Sequence, residues 1–235
     1  GTTVGPLPSV TTAIGAVDKS GPLIGWAKRE TAACAVRNLP LITDMVTTGG
    51  AESAVKWLAR IPDYQRDLAA DLGSRVHALA DAVGRSEPVQ LTDQERPFLD
   101  AYRAFLTDKQ PIIERSEAMV CNLAEGYAGT LDLIVRLDGK RWLLDIKTGK
   151  APYAEAGLQL AAYAKAEFIG APNDPTKHRM PPCTRFGVLH LRPEGYRVVD
   201  YAVDGETWQA FLAALKVARW LAGQAKTIVG EGNGA

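Results

Sequence analysis

The chain has 235 residues, with 27 Lys and Arg against 27 Asp and Glu, so its formal net charge is zero. Nucleic-acid-binding proteins often carry a basic excess, so this balance counts mildly against DNA binding, although basic residues on one face suffice for phosphate contacts. No apolar run is long enough to span a membrane, no signal peptide is recognisable, and three scattered cysteines fit reduced intracellular thiols. We therefore expect a cytoplasmic protein with no membrane partner.

Residues 1–110 are predicted to form the helical N-terminal part of a single domain, ahead of a core at residues 111–229 and a frayed tail at residues 230–235. Apolar spacing and capping residues predict helices in this first part at residues 9–17, 23–37, 49–59 and 63–83. A capping box at residues 92–95 predicts a further helix that continues to about residue 109. The fourth of these helices carries an apolar stripe between Leu68 and Val83. His77 lies beside that stripe, and a lone histidine on a helix is more often structural than a ligand.

The core is predicted to begin with a strand at residues 112–123. Glu114 and Glu117 lie three positions apart in this strand, so the alternation of side chains sends them to opposite faces of a sheet. A solvent-facing strand glutamate and a functional residue are equally good interpretations of Glu117.

A β-hairpin is predicted at residues 131–147, where two apolar runs flank Asp138 and Gly139. Asp-Gly between such runs favours a two-residue type I′ turn. If Leu137 pairs with Lys140, then Asp132 faces Asp145, and Lys147 lies one pleat further along the same face. Directly opposed like charges are destabilising, and a bound divalent cation would explain the acidic pair. A bulge in the hairpin would shift the register and separate the two acids.

The remaining residues are predicted to complete an α/β fold. We expect a helix at residues 153–169, a proline-rich loop at 170–182, a hairpin from 185–191 and 196–203, and a helix at 204–225. Gln159 and Tyr163 are four residues apart and therefore share one face of their helix. Either both residues line a functional groove, or Tyr163 is buried against the sheet and Gln159 lies at the rim of the buried region. The loop either contacts DNA or is a solvated surface loop.

Three motifs, in their order and spacing, resemble the PD-(D/E)XK nuclease superfamily in its RecB-like branch, which includes phage recombination exonucleases. They are GTLD at residues 129–132, DIK at residues 145–147 and QLAAY at residues 159–163. The D-x-K triplet alone is weak, whereas the combination is much more specific. Looser similarity extends upstream to GSRVH at residues 73–77 and PSVTT at residues 8–12. Some relatives hold an iron–sulfur cluster on four cysteines, and this chain has only three.

The resemblance implies a restriction-endonuclease-like core, with a central mixed β-sheet flanked by helices. It also implies a Mg²⁺ or Mn²⁺ site whose ligands are His77, Asp132, Asp145 and the backbone carbonyl of Ile146. Lys147 would orient or deprotonate the attacking water, or offset negative charge in the transition state. Gln159 and Tyr163 would hydrogen-bond the DNA backbone or orient the lysine. Glu117 matches a strand glutamate of the family.

The function implied by the resemblance is Mg²⁺- or Mn²⁺-dependent hydrolysis of DNA, as an exonuclease in recombination, repair or phage DNA processing. Its partner would be DNA, and it would act in the cytoplasm of a bacterial or phage-infected cell. Assembly into a homo-oligomer and binding of a recombination partner protein both stay open. Two other functions also stay open. One is a catalytically inactive DNA- or protein-binding module on the same fold, and the other is a metal-dependent hydrolase of small phosphate esters. A third alternative is that the acidic pair is accidental and merely solvated.

Overall fold

The structure, a computed structural model, describes residues 7–18, 20–171, 176–226 and 228. The tail predicted at residues 230–235 lies outside the described residues. The helices are α1 (Val10–Ile14), α2 (Ser20–Arg37), α3 (Leu39–Gly49), α4 (Ala51–Ala59), α5 (Ile61–Gly84), α6 (Arg96–Lys109), α7 (Glu155–Ala164) and α8 (Gly205–Ala222). The strands are β1 (Ile112–Asn122), β2 (Tyr127–Leu137), β3 (Lys140–Lys147), β4 (Phe168–Gly170), β5 (His178–Arg179), β6 (Arg185–Arg192) and β7 (Gly195–Asp200).

The chain divides into two compact units. One unit, Asp18–Ser74, contains α2, α3, α4 and the first part of α5, and within it α3 packs on α4. The other unit combines Gly1–Val17 with Arg75–Ala235 and contains every described strand. Within this second unit, α6 packs on β6 and β7, and Asp81 of α5 accepts a hydrogen bond from Ser116 of β1.

The described strands form one mixed sheet in the order β5-β4-β1-β2-β3-β6-β7. Neighbouring strands are antiparallel except for β3 and β6, which run parallel. Helices flank the sheet, so the predicted α/β class with a central mixed sheet is confirmed. None of the described helices is both long enough and apolar enough to cross a bilayer.

Helices α1, α7 and α8 supply one side of the main hydrophobic core. Their buried side chains are Val10, Ala13, Ile14, Leu160, Ala162, Tyr163, Phe211 and Leu215, and they pack with sheet residues such as Tyr127, Leu131 and Ile134. Full burial of one large apolar side chain contributes about 1.5–3 kcal/mol. Helix α8 begins as predicted, because the Asp204 carboxylate accepts a hydrogen bond from the Thr207 N–H at 2.8 Å.

The central hairpin has the predicted turn and register. Leu137 pairs with Lys140, and the described ladder continues to Leu133 and Leu144. Asp138 and Gly139 have φ angles of 50° and 73°. A type I′ turn requires positive φ at both central residues, which Asp and Gly tolerate better than most residue types. Local turn chemistry therefore fixes the alignment of β2 and β3.

Several helix boundaries differ from the prediction. The helix predicted at residues 153–169 ends at Ala164, and Phe168–Gly170 instead forms β4, which pairs with β1 and buries Ile169. Helix α3 was not predicted at all. Helix α5 starts at Ile61, because Pro62 is tolerated in a first helical turn where its missing N–H has no intrahelical partner.

One prediction in the second half also differs from the structure. The loop predicted at residues 170–182 contains the two-residue strand β5, while residues 172–175 lie outside the described part of the chain. On the last helix, Trp220 is 41% exposed, whereas Phe211 and Leu215 are buried.

Candidate metal and catalytic site

His77 of α5, Glu117 of β1 and Asp132 of β2 come together, and we call these three residues the cation cluster. One ligand atom from each lies within 4.8 Å of the other two. Nδ1 of His77 is 3.5 Å from Oδ1 of Asp132 and 3.9 Å from Oε1 of Glu117. Carboxylate oxygens suit Mg²⁺, and an added imidazole nitrogen also suits Mn²⁺. The cluster joins two predicted metal ligands, His77 and Asp132, to the glutamate that matches a strand glutamate of the family.

Glu117 lies in an unusual backbone conformation. Its φ angle is 45°, in the left-handed region that non-glycine residues seldom adopt. Strain of this kind costs about 1–3 kcal/mol and is concentrated at functional sites. The residues on both sides of it, Ser116 and Ala118, stay in register with Leu133 and Leu131 of β2.

Glu114 marks a second irregularity in β1. The register with β2 shifts between Ile113 and Arg115, and Glu114 forms ion pairs with Arg136 and Arg141 at 2.6 Å each. Arg136 lies on the same face of β2 as Asp132, and Asp132 lies beside Glu117. The prediction that the two glutamates point to opposite faces is therefore wrong, because β1 does not alternate regularly between them.

Asp132 and Asp145 lie one position beyond the last described pair of the hairpin ladder, Leu133 with Leu144. Oδ2 of Asp132 accepts a hydrogen bond from the backbone N–H of Ile146 at 2.6 Å. Asp145 is 1% exposed and is not part of the cation cluster. The predicted sharing of one cation by the two acids stays a prediction, as does the predicted role of the Ile146 carbonyl.

Lys147 is held beside the buried Asp145. Its Nζ donates a hydrogen bond to Oδ1 of Asp145 at 2.8 Å and lies 2.7 Å from Oδ2. The same Nζ is 3.4 Å from Oε1 of Gln159, whose Nε2 donates to the hydroxyl of Tyr163 at 3.2 Å. The predicted residues Lys147, Gln159 and Tyr163 thus form one connected chain of polar groups leading from Asp145.

The charged groups of the site shift one another's pKa values. Burial, followed by the negative charge of Asp132, raises the pKa of Glu117 to about 7. Burial and the charge of Asp132 likewise raise the pKa of Asp145, and Lys147 opposes that rise. A carboxyl with a raised pKa retains its proton more readily, so a cation entering the cluster would compete with a proton on Glu117.

His77 and Asp132 stabilise each other's charged forms. Burial alone would raise the pKa of Asp132, but the hydrogen bond and charge of His77, assisted by Lys147 and the Ile146 N–H, hold this pKa below its ordinary value. Burial would lower the pKa of His77, but Asp132 raises it above the ordinary value. Asp132 therefore loses its proton more readily than an ordinary aspartate, which is the property expected of a cation ligand.

The glycine of the GTLD motif makes room for Tyr163. A Cβ atom on Gly129 would lie 2.9 Å from Cε1 of Tyr163 and 3.2 Å from Cγ2 of Val10. Real Cβ atoms do not tolerate the shorter of these distances. Tyr163 is also buried, with an exposed fraction of 3%. Close packing of α7 on β2 therefore depends on the absence of a side chain at position 129.

Two polar residues near the site were missed by the sequence analysis. Asp81, one turn after His77, accepts hydrogen bonds from Ser116 and Arg85. His190 is buried on β6 and pairs in register with Lys147. A histidine within the otherwise apolar run at residues 188–191 is a signal that could have identified it.

Comparisons with known proteins add little to this description. The chain matches no family profile and no curated protein. It is similar to a solved structure described as the crystal structure of SSO0001, with 17% sequence identity, a TM-score of 0.31 and alignment over 53% of this chain. The alignment spans 57% of the SSO0001 chain. A likeness this weak carries no information on function.

Proposed function

We propose that this chain is a Mg²⁺- or Mn²⁺-dependent deoxyribonuclease that hydrolyses phosphodiester bonds. The observation that supports this most strongly is the meeting of His77, Glu117 and Asp132 within 4.8 Å, close to the lysine of the DIK motif. These residues come from three elements, and Lys147 comes from a fourth. Their motifs resemble the RecB-like branch of the PD-(D/E)XK nucleases, and the mixed sheet is compatible with a restriction-endonuclease-like core.

The donor set fits a hard divalent cation. Two carboxylates and one imidazole offer oxygen and nitrogen ligands with net negative charge. Oδ2 of Asp145 is a further candidate, because this buried atom accepts no hydrogen bond of good geometry from the described residues, although Nζ of Lys147 lies 2.7 Å away. A divalent cation, when bound, polarises a phosphoryl oxygen and favours attack by water.

We assign to Lys147 an action on the attacking water or on the developing charge. Asp145 and Gln159 hold its ammonium group from two directions, at 2.8 Å and 3.4 Å. A fixed ammonium group can orient or deprotonate a water, or offset negative charge in the transition state. Tyr163 in turn fixes Gln159, so the QLAAY helix supports the lysine.

The substrate we propose is DNA, processed as an exonuclease in recombination, repair or phage DNA processing, in the cytoplasm of a bacterial or phage-infected cell. Exposed basic residues, including Lys150, His178 and Arg179, would contact phosphates. A homo-oligomer or a recombination partner protein would complete the enclosure of the strand that exonucleases need.

The test compares linear, end-blocked linear and circular DNA, each with Mg²⁺, with Mn²⁺ and with a chelator. We expect metal-dependent loss of linear DNA with free ends and survival of the circular DNA. Cleavage of a chromogenic phosphodiester but not of DNA would instead support a small-ester hydrolase. Absence of any metal-dependent cleavage would support the inactive binding module.

Single substitutions test whether cleavage depends on the residues of the site. Lys147→Ala should abolish cleavage while sparing cation binding, whereas Asp132→Asn and Asp145→Asn should also weaken cation binding. Lys140→Ala removes an exposed lysine at the hairpin turn and is the matched control, with activity expected to match the parent protein. Full activity of Lys147→Ala would refute the role of that lysine.

A further inference from the structure

His190 makes specific hydrogen bonds although it is only 1% exposed. Its Nε2 lies 2.7 Å from the carbonyl oxygen of Gly149, and its Nδ1 lies 3.4 Å from Nη2 of Arg197. A carbonyl can only accept a hydrogen bond and a guanidinium can only donate one. Nε2 therefore donates to the Gly149 carbonyl, and Nδ1 accepts from Arg197.

Arg192, two residues further along β6, reaches the same segment. Its Nη1 donates to the carbonyl oxygens of Thr148 and Gly149, at 2.8 Å and 3.2 Å. These two residues directly follow Lys147, and residues 148–154 form neither helix nor strand before α7 begins. Two carbonyls of an irregular segment thus receive three hydrogen bonds from one neighbouring strand. We call His190 and Arg192 the turn clamp.

We infer that the turn clamp positions Lys147, with His190 as a positioning residue for the proposed reaction. The catalytic consequence rests on the proposed function. Lys147 is the last residue of β3, and the clamped segment connects it to the helix that carries Gln159. Movement of this segment would displace Nζ of Lys147 from Asp145 and from Gln159 together. A misplacement of about 1 Å can cost roughly 10²-fold in rate.

The position of His190 argues against a role in packing alone. Its neighbours in β6, Leu189 and Leu191, are both fully buried, and a third apolar residue would stabilise the strand without the cost of burying a polar ring. The hydrogen bond to Gly149 explains why a donor lies there instead. None of the described hydrogen bonds or ion pairs of His190 and Arg192 involves the cation cluster, so the clamp should affect the lysine without affecting cation affinity.

The experiment compares the parent protein with His190→Leu, which removes the donor, and His190→Gln, whose amide can donate in place of Nε2. Cleavage of linear DNA is measured at saturating Mn²⁺, and Mn²⁺ affinity is measured separately by titration. We expect kcat to fall about 10- to 100-fold in His190→Leu, with unchanged KM and Mn²⁺ affinity. His190→Gln should recover most of the rate.

Leu191→Ala is the control for general loss of stability, because it truncates an equally buried neighbour without removing a hydrogen-bond donor. All rates are compared at a temperature where thermal unfolding shows each variant to be folded. We expect Leu191→Ala to be destabilised but to keep the parent kcat. A parent-like kcat in His190→Leu, or equal losses in His190→Gln and His190→Leu, would overturn the inference.

A spectroscopic readout keeps the inference separate from the proposed activity. The ammonium group of Lys147, held by Asp145, should give a slowly exchanging ¹H–¹⁵N signal, assigned by its absence from Lys147→Ala. We expect this signal to persist in His190→Gln and to broaden or vanish in His190→Leu. An unchanged signal in His190→Leu, or no signal in the parent protein, contradicts the clamp. If the parent protein cleaves no DNA, the proposed function fails, but this signal still decides the role of His190.

Discussion

Nδ1 of His77 lies 3.5 Å from Oδ1 of Asp132, although the two residues belong to a helix and a strand far apart in the chain. The contact raises the pKa of His77, against the effect of burial, and helps to hold the pKa of Asp132 below its ordinary value. The helix α5 thereby contributes a nitrogen atom to a site whose acids come from the sheet.

His77→Ala should weaken Mn²⁺ binding roughly 10- to 100-fold, a range reached even when partners of metal ligands are lost. The reason is that the variant leaves only the two carboxylates of the cation cluster. Mn²⁺ affinity is measured by titration of the metal-free protein. His178→Ala, which removes an exposed histidine from β5, is the matched control and should bind as the parent does. Equal affinities for all three proteins would exclude His77 as a ligand.

Gly129→Ala should destabilise the protein by about 1–3 kcal/mol, the usual cost of overpacking. The added methyl group would meet the Tyr163 ring at 2.9 Å, and the buried ring has little room to move. Denaturant unfolding measures the loss, and cleavage assays should show a slower rate because Tyr163 supports Gln159. Gly205→Ala meets no atom within 4 Å and is the control. Similar unfolding midpoints for both variants would contradict the close approach.

Glu117→Gln should alter the dependence of stability on pH. The raised pKa of Glu117, about 7 against an ordinary value of 4.5, means that the folded state binds this proton more tightly than the unfolded state. Stability from this group is therefore complete below pH 4.5 and is lost as the pH rises through about 7. Thermal unfolding without divalent cations should show the variant gaining on the parent protein between pH 4.5 and 8.

The pH dependence of Mn²⁺ affinity gives a second readout for Glu117. Protons compete with the cation for this carboxylate, so Mn²⁺ affinity of the parent protein should increase from pH 6 to pH 8. Glu117→Gln should show a weaker affinity and a smaller increase. An identical pH dependence of affinity in both proteins would indicate that Glu117 is not a ligand.

Gly139→Ala should cost about 1–2 kcal/mol, because an alanine in the left-handed region clashes with the backbone and Gly139 has a φ angle of 73°. The turn closes one end of the paired part of the hairpin, and Asp132 and Lys147 lie beyond its other end, so Mn²⁺ affinity should stay unchanged. Urea unfolding and a Mn²⁺ titration measure the two effects. Asp138→Gly, with the same backbone requirement, should be tolerated. A loss of affinity in Gly139→Ala would show that the site depends on the turn.

The hairpin and several helix caps could be predicted because their causes are local. Asp138 and Gly139 determine the turn type, and Asp204 caps a helix through a hydrogen bond three residues away. Strand β4 could not be predicted, because the Ala-rich sequence before it favours a longer helix. Pairing of residues 168–170 with β1 and burial of Ile169 outweigh that local preference.

The site was predictable in its residue types but not in its geometry. Motif spacing brought Asp132, Asp145 and Lys147 to one end of a hairpin. Glu117 contributes to the cation cluster and has a left-handed backbone conformation. That conformation depends on tertiary packing and has no signature in the sequence. His190 escaped prediction for a related reason, because only the parallel pairing of β3 with β6 brings it beside Lys147.

That parallel pairing has a consequence for synthesis on the ribosome. The chain completes β3, crosses to the far edge of the sheet to form β4 and β5, and returns to lay β6 against β3. A nascent chain that ends before Arg185 already contains the three residues of the cation cluster, yet β3 has an unpaired outer edge of backbone groups. Such an edge is an aggregation hazard, so the emerging protein should require protection until β6 and β7 have been translated.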